Sequence, residues 1–404
     1  MDLYSGLPYW IVKDPLDNYF NPLKSDHKVD VLIVGSGITG ALVAHELCNA
    51  GIKCSMVDKR SLSTGSSVAS TALLQYEIDT PLFELVKMMD EGKAVRAYQS
   101  CLQAITDIEK VFKDINYNPD LEKVPSVFYA SNRRGVRTIR KEYSIRRKYD
   151  LPVDYYDKNE VEINVGINSP AALKNDTSAQ MDAYAGATHL IHYHREKNEL
   201  NVFTHTEIEQ FQEKKTGYEL LTTGGHTIKA KYVVVAAGFE SGFFLPRQVM
   251  ELTSTYVILS EPVEDQYFWP EKSMLWETAQ PYMYIRTTGN RIMVGGEDED
   301  ISEPARRDKL MKTRIRNLER KFHKLFPDIP FKTEMSWGST FSKTKDGLPY
   351  IGNWPGNNKM FFALGYGGNG ITYSMIAAQI IKNKLQGIRD DREDVFGFER
   401  SEES

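Results

Sequence analysis

Cysteine is scarce in this chain: three in 404 residues, Cys48, Cys54 and Cys101. They make no CxxC pair and no even framework, which excludes a disulfide-stapled secreted scaffold and suits a reducing compartment. Long apolar runs are missing too. No stretch of 18 apolar residues occurs, so no transmembrane helix is expected. Residues 1–10 have neither a basic nor an apolar segment of signal-peptide type, and a cytoplasmic protein is expected. Excess positive charge is also absent, with 50 Lys+Arg against 55 Asp+Glu and a net charge of −5. That balance argues against nucleic acid or an anionic membrane as partner. What is present is 41% hydrophobic and 11% aromatic residues, enough for a sizeable core, in a length that suggests two domains or one large α/β domain with insertions.

The most informative stretch begins at Val29. The apolar, β-branched run Val29–Val34 reads as a buried strand and ends in Gly35-x-Gly37-x-x-Gly40, with Ser36, Ile38 and Thr39 between the glycines. An apolar helix follows, then Gly51 and a second strand over 52–57 that ends in Asp58. Gly35 allows the tight turn, Gly37 lets backbone approach a pyrophosphate, and Gly40 lets helix pack on strand. The helix N-terminus favours the negative diphosphate, and Asp58, 18 residues after Gly40, stands where a carboxylate meets a ribose hydroxyl. Three glycines alone would be weak; the ordered strand, turn, helix, strand and acid point to a dinucleotide.

The remaining chain divides around that unit. Residues 1–28 read as an extended arm packed on the body or on a neighbouring subunit. Residues 59–75 form a loop of small hydroxylated residues, including Ser66, Ser67, Ser70 and Thr71, suited to phosphates and a ring edge. Helices are expected over 81–113, and residues 133–148, eight of them basic, read as an amphipathic surface helix with a solvated face. A helix over 181–197 carries His189, His192 and His194, whose spacings do not share one face, so no metal site is expected. Strands are expected over 201–208, 217–223 and 227–235, the last running into Ala236, Ala237 and Gly238. Near the C-terminus a strand leads into Gly365, Tyr366, Gly367, Gly368, Asn369 and Gly370, then into an apolar helix that starts at Ile371. Two glycine-rich strand-to-helix junctions far apart in sequence suggest one extended cofactor held at both ends.

Together these stretches resemble the D-amino-acid oxidase / glycine oxidase superfamily of FAD-dependent oxidoreductases, on the side of its γ-glutamylputrescine oxidase-like branch. The resemblance runs from the Tyr9-Trp10 arm to the last helix and rests on the Gly35–Asp58 unit, the 66–71 loop and the segment 233–238. It extends to Tyr284-Ile-Arg286 with Gly295-Gly296, to Asp346-Gly-Leu-Pro-Tyr-Ile-Gly352, and to the 365–370 junction. It implies an α/β fold: a Rossmann-type FAD-binding domain of the glutathione-reductase-like kind, with an inserted mixed-sheet (α+β) substrate domain. The FAD domain would comprise 29–86, 180–250 and 336–390, the substrate domain 87–179 and 251–335, and the tail 391–404.

FAD is implied, with its adenosine end at Gly35–Asp58 beside Lys59, Arg60 and Ile208, and its ring between the 66–75 loop and the 365–370 junction. Asp346 would also belong to the cofactor site. Some relatives attach flavin to a cysteine seven residues before the Asp-Gly motif; Ser339 stands there, so the FAD is expected to be non-covalent. The implied reaction is hydride removal from the carbon of a neutral amine to flavin N5, on a small amine or amino acid. A substrate carboxylate would be held by Arg286, with Tyr284 and Tyr256 as weaker candidates. Electrons would pass to oxygen or another acceptor, and oligomerisation is left open. Two rival readings stand beside it: a dehydrogenase of a hydroxy acid or amine with a non-oxygen acceptor, and a flavoprotein partner in RNA modification, against which the −5 charge speaks.

Overall fold

The computed structural model describes residues 3–16 and 19–401. Residues 1–2 and 17–18 of the expected arm and 402–404 of the expected tail lie outside the described residues.

The strand His27–Val34 lies at the centre of the first sheet, with Cys54–Val57 parallel on one side and Thr227–Val235 parallel on the other. Leu200–Phe203 extends the sheet beyond Cys54–Val57, and Met360–Leu364 runs parallel to the end of Thr227–Val235. A strand covered on both faces should be apolar throughout, and residues 31–34 are all buried. Val31 and Ile33 face the helices Ile38–Asn49 and Gly370–Leu385, while Leu32 and Val34 face a second cluster with Ile228, Phe244 and Phe398. The hairpin at Gly224-Gly225 joins Gly217–Thr222 to Thr227–Val235. Before it runs a polar strand, Ile208–Lys214, that the hydrophobic pattern did not announce.

The second sheet has nine strands and is mixed, with Met274–Glu277 parallel to Ser126–Tyr129 and the other pairs antiparallel. The arm joins it: Tyr4–Gly6 pairs with Trp337–Ser339, and Trp10 is fully buried. The helix Pro304–Leu325 covers one face, setting Leu318 and Phe322 against Tyr256, Ile258 and Val294. The opposite face turns Thr255, Val257 and Tyr284 toward a cavity shared with the first sheet.

The mixed α/β architecture is the one expected, and two boundaries differ in detail. The helix Glu91–Asp114, assigned above to the substrate domain, packs on Gly370–Leu385 within the nucleotide-side core. The strand Thr333–Lys343 crosses the expected break at 336 and belongs to the nine-stranded sheet. The basic helix Gly135–Lys148 is not merely solvated. Glu142 and Arg146 are buried, with Arg146 Nε donating to Glu142 at 2.7 Å and Nη1 to Glu77 at 3.2 Å. No helix among the described residues is long and apolar enough to cross a membrane.

Candidate functional site

Both glycine-rich junctions open onto one cavity of about 700 Å³ between the two sheets. At its first end Gly35 takes φ +110°, and a Cβ there would run into the Ala236 carbonyl. A Cβ on Gly40 would collide with the Gly35 carbonyl, so Gly40 lies behind the wall and serves helix–strand packing. Gly37, Ile38 and Thr39 line the cavity; Ser67 Oγ accepts from the Ile38 N–H at 2.9 Å, and Gly37 adds no side-chain cap. The helix therefore presents its N-terminal dipole to the cavity beside a wall of hydroxyls from Ser66, Ser67, Ser70 and Thr71.

Asp58 closes this end. Its carboxylate accepts from Ser36 N at 2.8 Å, Ser36 Oγ at 2.6 Å and Arg60 N at 2.8 Å, and burial still raises its pKa. Lys59 and Arg60 each pair with Glu240 at 2.8 Å. Burial works against the Glu240 charge, but the two cations prevail and hold it at about 2. Ile208, Ala237 and Gly238 complete the wall.

At the second junction the helix Gly370–Leu385 also starts without a side-chain cap. Its N-cap residue Asn369 instead donates Nδ2 to the carbonyls of Gln75 and Glu77, at 3.0 and 2.7 Å, tying the hydroxyl loop's continuation to the junction. Gly365–Gly370 and Ile371 all line the cavity. Beyond them lies a chamber walled by Asp79, Trp276, Tyr282, Tyr284, Asp298 and Phe341. Asp79 accepts from Gly368 N at 2.8 Å and from Tyr282 Oη at 3.0 Å, and burial raises its pKa. Burial also pushes Asp298 up to about 6, and its Oδ1 has no hydrogen-bond partner. Among the described lining residues, the cations are Lys59 and Arg60, both at the other end with Glu240.

Three site assignments need correction. Arg286 does not line the cavity; it is 2% exposed and points its guanidinium at backbone. Nη1 donates to the carbonyls of Thr71 (2.6 Å), Ala72 (3.2 Å) and Met181 (3.0 Å), Nε donates to Thr287 (3.0 Å), and the group lies over Trp10. Tyr256 faces the wrong side. In a strand alternate residues point to opposite faces, so Thr255 and Val257 take the cavity while Tyr256 is buried against the helix Pro304–Leu325, donating to Arg307 O at 3.2 Å. Asp346 is off the cavity, pairing with Arg400 Nε at 2.8 Å and capping Leu348 N at 3.0 Å. Tyr284, by contrast, does face the chamber.

The chamber's acids went unread in the sequence. Asp298 sits in the acidic run 297–300, at the end of a largely buried strand, and that charge beside a buried run was the available signal. Asp79 sits in a loop just before Thr80-Pro81 and carried none. His194, on the helix expected over 181–197, is fully buried.

The cavity suits an extended dinucleotide: two helix N-termini without caps of their own, a hydroxyl wall between, a carboxylate at one end and a chamber at the other. None of the three cysteines lines it and Ser339 does, so no cysteinyl link to a cofactor can form there. A fold and site of this kind define a flavin-dependent oxidoreductase. The chain belongs to the DAO family of FAD-dependent oxidoreductases, whose family model matches residues 30–383. It is similar to a glycine oxidase of Geobacillus kaustophilus (strain HTA426), 23% identical over 380 residues that cover 89% of this chain and 93% of that protein. A gamma-glutamylputrescine oxidoreductase of Escherichia coli (strain K12) is 23% identical over 393 residues, covering 91% and 86%. Among solved structures, an L-proline dehydrogenase from P. horikoshii superposes with a TM-score of 0.78 at 18% identity, covering 93% of this chain and 99% of that one, a likeness of fold.

Proposed function

We propose that this FAD-dependent enzyme oxidises the C–N bond of a small amine whose cationic nitrogen is received by Asp79 and Asp298. The observation that carries the reading is the chamber itself: two half-buried carboxylates with Trp276, Tyr282, Tyr284 and Phe341 around them, and no guanidinium there among the described lining residues. A substrate ammonium entering there gains an ion pair in a low-dielectric site and aromatic faces for its alkyl part. A substrate carboxylate would meet two like-charged groups and, among the described lining residues, no cation at this end, which disfavours it. Amines are therefore favoured over amino acids held by their carboxylate.

The chain's residues have three tasks in this reaction. Asp79, fixed by Gly368 N–H and the Tyr282 hydroxyl, orients the nitrogen. The Asp298 carboxylate, which lines the cavity and has a pKa of about 6, takes the ammonium proton, leaving a neutral amine and a carboxylic acid. The aromatic walls exclude water. FAD, when bound between the two junctions, supplies the two-electron acceptor that receives the hydride from the carbon beside nitrogen. The resulting imine hydrolyses in water to a carbonyl compound and a released amine or ammonia.

The electrons pass on to oxygen or another acceptor, which oxygen uptake during turnover distinguishes. Three free, buried cysteines support a cytoplasmic setting. The function is tested by incubating the FAD-loaded protein with amines and a dye acceptor and identifying the carbonyl product. A carbonyl from amines that disappears in Asp298→Asn supports the proposal. Turnover confined to amino acids or hydroxy acids overturns it.

A further inference from the structure

At the end of the nucleotide-side helices remote from the cavity lies a cluster the flavin chemistry does not use. Cys48 stands in the last turn of Ile38–Asn49, and His194 in the last turn of Ala183–Glu196, with Glu199 just beyond it. One donor atom from each of Cys48, His194 and Glu199 lies within 4.8 Å of the other two. Cys54 Sγ, at the start of the neighbouring strand, is 3.6 Å from Cys48 Sγ. Two thiolates on one tetrahedral zinc, with bonds of about 2.3 Å, stand about 3.8 Å apart. The pair is thus already near the separation that a shared zinc imposes.

The surroundings match a cation as well. The helices Ile38–Asn49 and Ala183–Glu196 both bring their C-terminal ends here, where the dipole favours positive charge. His194 is held from behind. Its Nε2 lies 3.0 Å from His45 Nδ1, and His45 Nε2 lies 2.9 Å from Asn49 Nδ2. Its Nδ1 is turned to Glu199 Oε2 at 2.6 Å. A ligating imidazole held by a partner on its other nitrogen is the usual arrangement around zinc. Cys48, Cys54, His45 and His194 are buried and Glu199 is exposed, so an ion would enter past the carboxylate.

We propose that Cys48, His194 Nδ1 and Glu199 bind one zinc ion, and that Cys54 Sγ, which lies outside the cluster of those three, swings in from beside Cys48 as the fourth donor. A set of thiolate, imidazole and carboxylate selects a borderline-soft cation over magnesium or calcium. The site would join the helix Ile38–Asn49, whose other end faces the cavity roughly 15 Å away, to the helix Ala183–Glu196. On binding, zinc takes the place of the thiol protons and of the Nδ1 proton that His194 shares with Glu199. His194 stays a neutral imidazole by holding a proton on Nε2 toward His45 Nδ1, with the Asn49 amide turned so that its oxygen accepts from His45 Nε2. The Glu199 oxygen must open from 2.6 Å to the roughly 3.3 Å that two light-atom ligands take on zinc.

The test uses the FAD-loaded protein from zinc-supplemented cells, purified under reductant and without chelator. Elemental mass spectrometry is expected to find about one zinc per chain, and x-ray absorption at the zinc edge to find sulfur together with nitrogen or oxygen neighbours. Cys48→Ser should abolish the zinc. Glu199→Gln, at an exposed position that keeps the fold, should lose zinc to a chelator faster than the parent protein. Zinc-free parent protein would overturn the site, as would zinc that Cys48→Ser retains in full. So would a mass lower by two hydrogens under non-reducing conditions, which would mean that Cys48 and Cys54 form a disulfide instead.

Discussion

Replacing Arg286 with Met separates a structural role from a substrate role. In the wild type the guanidinium bonds four carbonyls, on Thr71, Ala72, Met181 and Thr287, and so joins the hydroxyl loop, the segment before Ala183–Glu196 and its own strand. Burial lowers its pKa only to about 10, so it stays charged at neutral pH. Each bond from a charged donor contributes about 1.5–3 kcal/mol net, and stripping a buried cation from its partners costs about 3–5 kcal/mol in all because the terms are not additive. Arg286→Met is therefore expected to lose about 4 kcal/mol. At an m-value of about 4 kcal/mol/M for a chain of this size, that moves the urea midpoint down by about 1 M. Flavin should also leave the protein earlier, since Thr71 lines the cavity. Arg286→Lys keeps the charge but not the fork and should fall between the two. The reasoning fails if Arg286→Met unfolds at the parent's urea concentration while its KM for a carboxylate-bearing substrate rises.

Other consequences can be measured directly. Because burial raises Asp298 to about 6, the native state prefers it protonated, and stability from this group falls as pH climbs from its unfolded value of 3.8 through about 6. Asp298→Asn should gain about 2–3 kcal/mol at pH 8 and nothing below pH 3.5, while kcat/KM for amines drops about 100-fold and loses its rise near pH 6. Asp298 takes a hydrogen bond from Thr255, lies near the Tyr282 and Tyr284 hydroxyls and feels the charges of Lys343, Asp79 and Lys321, and Asp79→Asn should shift that rise to lower pH by removing a like charge. Gly35→Ala puts a Cβ into the Ala236 carbonyl at a left-handed φ, so purified protein should carry little or no FAD by absorbance. Arg146→Met leaves Glu77 and Glu142 buried without their cation; it should cost about 3–5 kcal/mol in urea unfolding at pH 8 and less at pH 5, where Glu77, its pKa raised by burial, takes up a proton more readily.

The dinucleotide end was legible because its constraints are local. Gly35, Gly37, Gly40 and Asp58 lie within one strand–turn–helix–strand unit, and backbone sterics alone fix their order. The 365–370 junction was legible for the same reason. The substrate chamber was not, because its residues come from distant segments and meet through sheet register. Tyr-x-Arg before a glycine pair placed Arg286 on the right strand, yet the carbonyls that absorb its charge belong to residues 71, 72 and 181. Tyr256 missed by one residue, which in a strand is the whole difference between cavity and core. Asp346 reads as a site acid until Arg400, 54 positions later, folds back onto it. His194 and Cys48 are 146 positions apart, and no spacing rule joins them.

The central claim is that the chamber reads a cationic amine and repels a carboxylate. Its most direct test is anaerobic reduction of the protein-bound flavin, followed by absorbance, with pairs of compounds that differ only in an α-carboxylate. The account predicts that the amine of each pair bleaches the flavin and that its amino-acid counterpart does so far more slowly or not at all. Faster bleaching by the amino acid would contradict it.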